Sequence, residues 1–186
     1  MCRRSFGVII AILFFNCIVS GQGLFFSKSG KITFYSKSPL ENIEASNKSA
    51  TCVIDSKTGN MQFAVLMKGF EFKKARMQEH FNENYVESDK FPKSEFKGKI
   101  INNADINYTN DGSYDAKVTG KLTIHGQTKE VEADGKINVK DGKVSATSVF
   151  NILLSDFNIR IPKLVKDNIS NNISIMVNCS LEPLKG

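Results

Sequence analysis

The stretch Tyr114-Asp115-Ala116-Lys117-Val118-Thr119-Gly120-Lys121-Leu122-Thr123-Ile124 alternates apolar and polar side chains at every step. Because successive side chains of a β-strand point to opposite faces, this period of two predicts a strand with one buried and one solvated face. The buried face carries little bulk. The next two predicted strands repeat this feature with Ala133, Gly135, Ala146 and Ser148. A closed sheet of this kind would leave room inside for a ligand.

The same alternation recurs in both directions from this strand, with turn residues between the segments. The remaining predicted strands are Lys31 to Tyr35, Ile43 to Asp55, Met61 to Gly69, Glu95 to Ile101, Thr128 to Val139, Lys143 to Leu154, and Ile173 to Leu181. Closure of such a set leaves no exposed edge. The sequence therefore predicts an all-β fold, an eight-stranded antiparallel up-and-down (lipocalin-like) barrel.

Between strands 3 and 4 the apolar period changes to about four residues. Met77, Phe81 and Tyr85 recur at this spacing between Phe72 and Ser88, which predicts a short amphipathic helix. Alternate connections of an up-and-down barrel share a rim. The helix should therefore share its rim with the 37–42 link, the 125–127 turn and the 155–172 connection. This rim is the predicted mouth, with mouth candidates Met77, Phe81, Tyr85, Arg160 and Lys163.

The inward register of the predicted strands defines the candidate lumen. Its residues are Phe34, Phe63, Val65, Met67, Phe96, Val118, Gly120, Leu122, Ala133, Gly135, Ala146, Phe150, Ile175 and Val177. Two interpretations stay open from the pattern alone. The small residues leave a cavity, or the phenylalanine rings of facing strands fill it. If the cavity exists, leucine at Gly120 or Gly135 is expected to block it while the fold stays intact.

The N-terminal segment has the pattern of an export signal. Arg3 and Arg4 precede an apolar run from Phe6 to Val19, and small residues follow before Gln22. We therefore expect residues 1–21 to be cleaved, residues 22–186 to form one barrel domain, and the protein to be periplasmic or secreted. The run is short for a membrane-spanning helix, so no stable membrane anchor is expected. Acylation of Cys17, as in a lipoprotein, is the alternative.

The charge pattern argues against a nucleic-acid partner. The formal net charge is +6 for the whole chain, and the basic residues are dispersed rather than gathered with aromatic residues in a stripe. Some basic residues do lie near the predicted mouth. They form a solvated rim, or they meet the anionic head of a ligand.

Cys52 and Cys179 remain in the domain after removal of the signal, and both lie on inward registers. They form a disulfide, as an oxidising compartment would allow, or they are two buried free thiols. The sequence alone leaves this open.

The sequence offers no pattern for catalysis, so we expect the protein not to be an enzyme and to need no cofactor or metal. His80 and His125 are its two histidines, and neither has a metal-site spacing to other ligands. Nucleophile-elbow and phosphate-loop motifs are absent. His80 lies on the helix surface, where solvent or a neighbouring carboxylate satisfies it, or where it donates to a ligand at the mouth. His125 lies in a tight turn, where a structural role is expected.

Two segments resemble the bacterial YceI-like family. They are His80-Phe81-Asn82-Glu83-Asn84-Tyr85-Val86-Glu87-Ser88, with Lys90-Phe91-Pro92 and Phe96-Lys97-Gly98 after it, and Gly120-Lys121-Leu122-Thr123-Ile124-His125-Gly126-Gln127-Thr128-Lys129. The resemblance implies a lipocalin-like barrel, exported to the periplasm, that binds a long-chain isoprenoid or other lipid in its lumen. The resemblance also implies a role related to stress, because members of this family are often described in that way. The alternative function is a filled barrel that binds a protein partner through its surface.

Overall fold

The computed structural model describes residues 23–184, so the predicted signal and the Cys17 alternative lie outside the described residues. In chain order its elements are β1 (Leu24–Lys37), β2 (Asn42–Asp55), β3 (Asn60–Leu66), β4 (Glu71–Phe72), α1 (Ala75–His80), β5 (Lys93–Ile100), β6 (Gly112–Ile124), β7 (Gln127–Lys140), β8 (Lys143–Leu153) and β9 (Asn172–Pro183). Between residues 23 and 184, no helix is both long and apolar enough to cross a membrane.

The long strands form one closed antiparallel sheet. Pairing runs in the order β1-β9-β8-β7-β6-β5-β3-β2, and β1 also pairs with β2, which closes the ring. The two-residue strand β4 is an addition that pairs with β2. The eight-stranded antiparallel barrel predicted from the alternation is confirmed.

The first strand is longer than its sequence pattern predicts. It begins at Leu24 rather than at Lys31, and its register with β2 shifts on both sides of Gly30. Ser27-Lys28-Ser29-Gly30 has the composition of a turn, but here it forms a β-bulge within the strand. Phe25, at the start of this missed half, is buried.

The helix predicted between the third and fourth strands of the sequence, which correspond to β3 and β5, is present but short. The α-helical part, α1, continues into a wider π turn over Phe81–Tyr85, where the Val86 amide donates to the Phe81 carbonyl over 3.0 Å. This change of helix type still brings Met77, Phe81 and Tyr85 to the same cavity.

One end of the barrel is packed shut. Ile54, Ile100, Ile137 and Leu181 are almost completely buried there. The 101–111 loop covers this end, with the Tyr108 ring stacked 5.8 Å from that of Phe25. Burial, with the nearby Asp55 charge, raises the pKa of Tyr108 to about 12. We call this the closed end.

At the other end, hydrogen bonds join the long connection to the 38–41 link and to the end of β1. Leu40 N donates to Asp167 O over 3.2 Å, and Ser170 N donates to Ser36 Oγ over 2.9 Å. The segments that the alternation assigned to one rim therefore lie together. We call this rim, formed by the 38–41 link, α1, the 81–92 segment, the 125–126 turn and the 154–171 connection, the open rim.

Candidate functional site

The barrel contains a cavity of about 690 Å³ that extends from its middle to the open rim. This volume is within the range of about 300–1,000 Å³ typical of small-molecule sites. Its walls are almost entirely apolar. The predicted lumen residues that line it are Phe34, Phe63, Val65, Met67, Phe96, Val118, Leu122, Ala133, Gly135, Ala146, Phe150, Ile175 and Val177.

Phenylalanine rings form part of the cavity wall rather than a plug. Phe34, Phe70, Phe72 and Phe81 make a cluster with ring centroids 5.0–5.7 Å apart, below the open rim. All four rings border the same open volume. The barrel is therefore hollow above its closed end, and the filled-barrel interpretation does not describe it.

Gly120 does not line the cavity, so the sequence prediction is wrong at this residue. Gly120 is the direct cross-strand partner of Gly98. A Cβ on Gly120 would lie 2.5 Å from Gly98 Cα and 2.6 Å from Lys97 O. Its lack of a side chain therefore allows close strand contact beneath the Phe96 ring.

Gly135 does line the cavity, but it also has a backbone role. A Cβ there would lie 2.6 Å from the carbonyl oxygen of Thr147 on β8. Leucine at either glycine would therefore push neighbouring strands apart. From this geometry we expect such variants to disturb the strand packing rather than to leave the fold intact.

The open rim has an apolar inner edge. Met77, Phe81 and Tyr85 line the cavity there, whereas the other two mouth candidates, Arg160 and Lys163, are exposed and do not line it. Their neighbours on the same connection do: Ile159, Pro162, Leu164, Val165, Asn168 and Ile169. Polar groups are few, and burial raises the pKa of the Tyr85 hydroxyl.

His80 and Asn84 supply polar atoms to the mouth. Both line the cavity and are exposed, and His80 Nδ1 lies 2.9 Å from Asn84 Nδ2. The Arg76 Nε donates to His80 Nε2 over 3.4 Å. These groups can form hydrogen bonds with the polar end of a ligand whose chain lies deeper.

His125 fastens three segments of the open rim to one another. Its Nδ1 lies 3.0 Å from the Phe157 carbonyl oxygen, and its Nε2 lies 2.6 Å from Glu87 Oε2. Both partner atoms are acceptors, so each ring nitrogen can donate toward one of them as its tautomer allows. The hydrogen bond from His125 lowers the pKa of Glu87. The structural role predicted for His125 corresponds to this bridge.

The barrel wall has a seam between β7 and β8. Among the described residues, their pairing runs from Lys140 and Lys143 only as far as Gly135 and Ser148, although both strands continue toward the open rim. At the last pair, Ser148 Oγ donates to Asp134 O over 2.7 Å. Beyond it, residues 127–134 and 149–153 have no ladder between them, and Val131, Ala133 and Phe150 line the cavity beside this seam.

The structure joins Cys52 and Cys179 in a disulfide between β2 and β9. The bond passes beneath Gly30 of β1, where a Cβ would lie 2.6 Å from each sulfur. Because β1 pairs with both strands, the bridge crosses one intervening strand within the core. Of the two alternatives that the sequence left open, the structure contains the disulfide rather than two free thiols.

Some cavity residues were not identified as site residues from the sequence. Phe70 and Phe72 follow β3, and Ile159, Leu164, Val165 and Ile169 belong to the long connection. Strand alternation could not identify them because Phe72 lies in the two-residue strand β4, which is too short to show a period, and the others lie outside the strands. The signal in the sequence that could have identified the residues of the long connection was the apolar content of that connection, which contains Pro162.

Together the fold and the site define a lipocalin-like binding barrel with an apolar lumen open at one end. A sequence profile of the YceI-like domain matches residues 19–181. The chain therefore belongs to the YceI-like family. Comparison with curated protein sequences gave no match.

Solved structures with this fold come from several bacteria. A polyisoprenoid-binding domain from Saccharophagus degradans, implicated in plant cell wall breakdown, has a TM-score of 0.75 at 10% identity, covering 87% of this chain and 99% of its own. BcnA of Burkholderia cenocepacia has a TM-score of 0.66 at 19% identity, covering 82% and 95%. A Campylobacter jejuni YceI protein has a TM-score of 0.55 at 21% identity, covering 76% and 86%.

Proposed function

We propose that this protein is an exported, periplasmic lipid-binding protein that holds one long-chain amphiphile, a polyisoprenoid, in the barrel lumen. The cavity of about 690 Å³ with an almost wholly apolar wall is the observation that carries the proposal. The polyisoprenoid-binding domain of Saccharophagus degradans, which shares the fold, supports the choice of ligand class.

The cavity suits an apolar chain for an energetic reason. Each methylene-sized group that leaves water contributes about 0.8 kcal/mol, before the cost of ordering the chain is subtracted. Methyl-branched isoprene units offer more such groups per unit length than a straight chain. Because His80, Asn84 and Tyr85, together with Glu41 and Asn168 of the rim connections, bring polar atoms to the mouth, we place the ligand's polar end at the open rim.

The test begins with protein purified from its native host and analysed by native mass spectrometry and organic extraction. We expect a bound lipid whose mass series differs by whole isoprene units. A single straight-chain fatty acid would exclude the isoprenoid, and bare protein would exclude the carrier function. Mass analysis of the mature N-terminus tests the export proposal, which requires cleavage before Gln22.

A cavity-blocking variant locates the ligand. Ala133 lines the cavity beside Val118, its cross-strand partner on β6, so Ala133→Phe should fill part of the lumen and reduce lipid retention at least tenfold. Glu132→Phe places the same ring on the outer face of the same strand and should retain the lipid. Equal retention by both variants would place the ligand outside the lumen.

A further inference from the structure

Two leucines project into solvent from the open rim. Leu164 is 97% exposed and Leu40 is 70% exposed, the two highest values among the large apolar side chains of residues 23–184. They belong to connections that hydrogen-bond each other, through Leu40 N and Asp167 O. Leu164 also borders the cavity, so the most exposed apolar side chain is next to the opening through which a ligand would pass.

Basic side chains surround these leucines. Lys163 and Lys166 flank Leu164, and Arg160 precedes them on the same connection; all three are exposed. Lys37 is exposed at the end of β1, where the 38–41 link begins. In the described part of the chain these four cations make no ion pair within 4.0 Å, whereas Lys74 is paired with Glu41 at 3.0 Å.

The acidic groups of this surface are fewer than the basic ones. Asp156 and Asp167 are exposed on the longer connection, and Glu41 on the shorter one is paired with Lys74. The segment from Arg160 to Asp167 therefore has three basic residues and one acidic residue. Its charge complements an anionic surface, and Leu164 together with Leu40 of the shorter connection complements an apolar layer beneath that surface.

We propose that this part of the open rim, formed by Leu40, Leu164, Lys37, Arg160, Lys163 and Lys166, docks on a lipid bilayer that contains anionic head groups. The leucines insert into the head-group region while the cations contact phosphate. The inference goes beyond the proposed carrier function. It rests on that function only for the reason why the protein would dock. Docking would place the mouth against the membrane, so that a water-insoluble chain moves between bilayer and lumen without crossing water.

The test is flotation of the purified protein with vesicles of phosphatidylcholine and phosphatidylglycerol (3:1), compared with vesicles of phosphatidylcholine alone. We expect flotation with the anionic vesicles, and a strong decrease when 1 M salt shortens the screening length from about 10 Å at 0.1 M to about 3 Å. Leu40→Ser with Leu164→Ser should lower the bound fraction at least fivefold. The double variant Lys163→Ala, Lys166→Ala should also lower the bound fraction at least fivefold at low salt.

The closed end provides matched controls. Ile101 is 61% exposed and Lys140 is exposed there, and neither borders the cavity. Ile101→Ser and Lys140→Ala should bind vesicles as the parent protein does. All variants share the same N-terminal segment, so its contribution to binding cancels. Equal flotation of the rim variants and these controls would overturn the proposal, as would flotation independent of phosphatidylglycerol.

A second readout separates docking from lipid carriage. The Lys163→Ala, Lys166→Ala variant changes no residue that lines the cavity, so native mass spectrometry of the same sample should show retained lipid. Retained lipid without selective vesicle binding in the parent protein would overturn docking and keep the carrier function. Selective vesicle binding by protein without lumen lipid would support docking and exclude the carrier function.

Discussion

His125 and Glu87 show how single residues hold the open rim together. Both have left-handed backbone conformations, with φ of 50° and 44°, which are uncommon for residues other than glycine. Their side chains meet at 2.6 Å, and the imidazole also contacts the Phe157 carbonyl and the edge of the Phe91 ring. Such costly conformations persist when the surrounding contacts fix them.

His125→Ala should therefore destabilise the protein. Loss of the hydrogen bond to Phe157 alone costs about 1 kcal/mol, which corresponds to about 2–4 °C in the melting temperature of a protein of this size. Thermal unfolding measures the change. His80→Ala is the matched control because His80 is exposed and bridges no distant segments. Equal shifts for both variants would contradict the bridge.

The effect of His125→Ala should depend on pH through Glu87. Its pKa is below the ordinary 4.5 because of the hydrogen bond from His125. A lowered carboxyl pKa contributes stability above 4.5, and this contribution disappears as pH falls through the folded-state pKa. The difference between the parent protein and His125→Ala should thus be larger at pH 6 than at pH 3. If the stability difference between the parent protein and His125→Ala is the same at pH 3 and pH 6, the ionised Glu87 carboxylate is not the partner through which His125 stabilises the protein.

Gly120 shows which property of a single residue could not be predicted from the sequence. Its inward register was readable from the alternation, but its contact with Gly98 depends on which strands pair and at what register. Gly120→Ala should cost about 1–3 kcal/mol of unfolding free energy because the added methyl overpacks against the β5 backbone. Denaturant unfolding checks this. A loss of lipid with no loss of stability would restore the prediction that Gly120 lines the lumen.

At the scale of elements, regular strands were predictable and irregular ones were not. A period of two predicts the strands because one face is buried and the other solvated, and Asp141-Gly142 matches a two-residue turn with both φ positive, 52° and 73°. The first half of β1 was missed because the bulge at Gly30 interrupts the alternation. Connections that fold over the mouth carry no period, so their cavity residues were not found.

The seam between β7 and β8 makes a specific prediction for hydrogen exchange. Alternate amides of 128–134 and 149–153 face the seam without a ladder partner, so they should exchange rapidly. The other amides of these segments bond to β6 or β9 and should exchange slowly. Residues 118–123 of β6, which pair with strands on both sides, are the internal reference. Uniform protection across 128–134 would mean that the seam is closed in solution.

The acidic residues of β7 explain how the protein tolerates this open edge. Glu130, Glu132 and Asp134 lie on the exposed face of the unpaired stretch. Charges on a free edge discourage pairing with a second chain. A side opening in the wall can therefore persist beside the lumen.

For the whole molecule, the two ends of the barrel have different roles. The closed end contains the disulfide, the stacked Tyr108 and buried isoleucines, of which Ile100 and Ile137 border the floor of the cavity. The open end contains the rest of the cavity and the rim contacts. Changes at one end should affect stability, and changes at the other should affect binding. The disulfide offers a test of this separation because it lies in the closed-end core.

Cys52→Ser combined with Cys179→Ser should lower the unfolding free energy by about 4–5 kcal/mol. The bridge spans 127 residues, and crosslinking so long a loop removes much of the entropy of the unfolded chain. Denaturant unfolding of the parent protein, with and without a reducing agent, should show the same loss. Lipid retention at low temperature should not change, because neither cysteine lines the cavity. Loss of the lipid while the barrel stays folded would show that the closed end shapes the lumen and that the two ends are not independent.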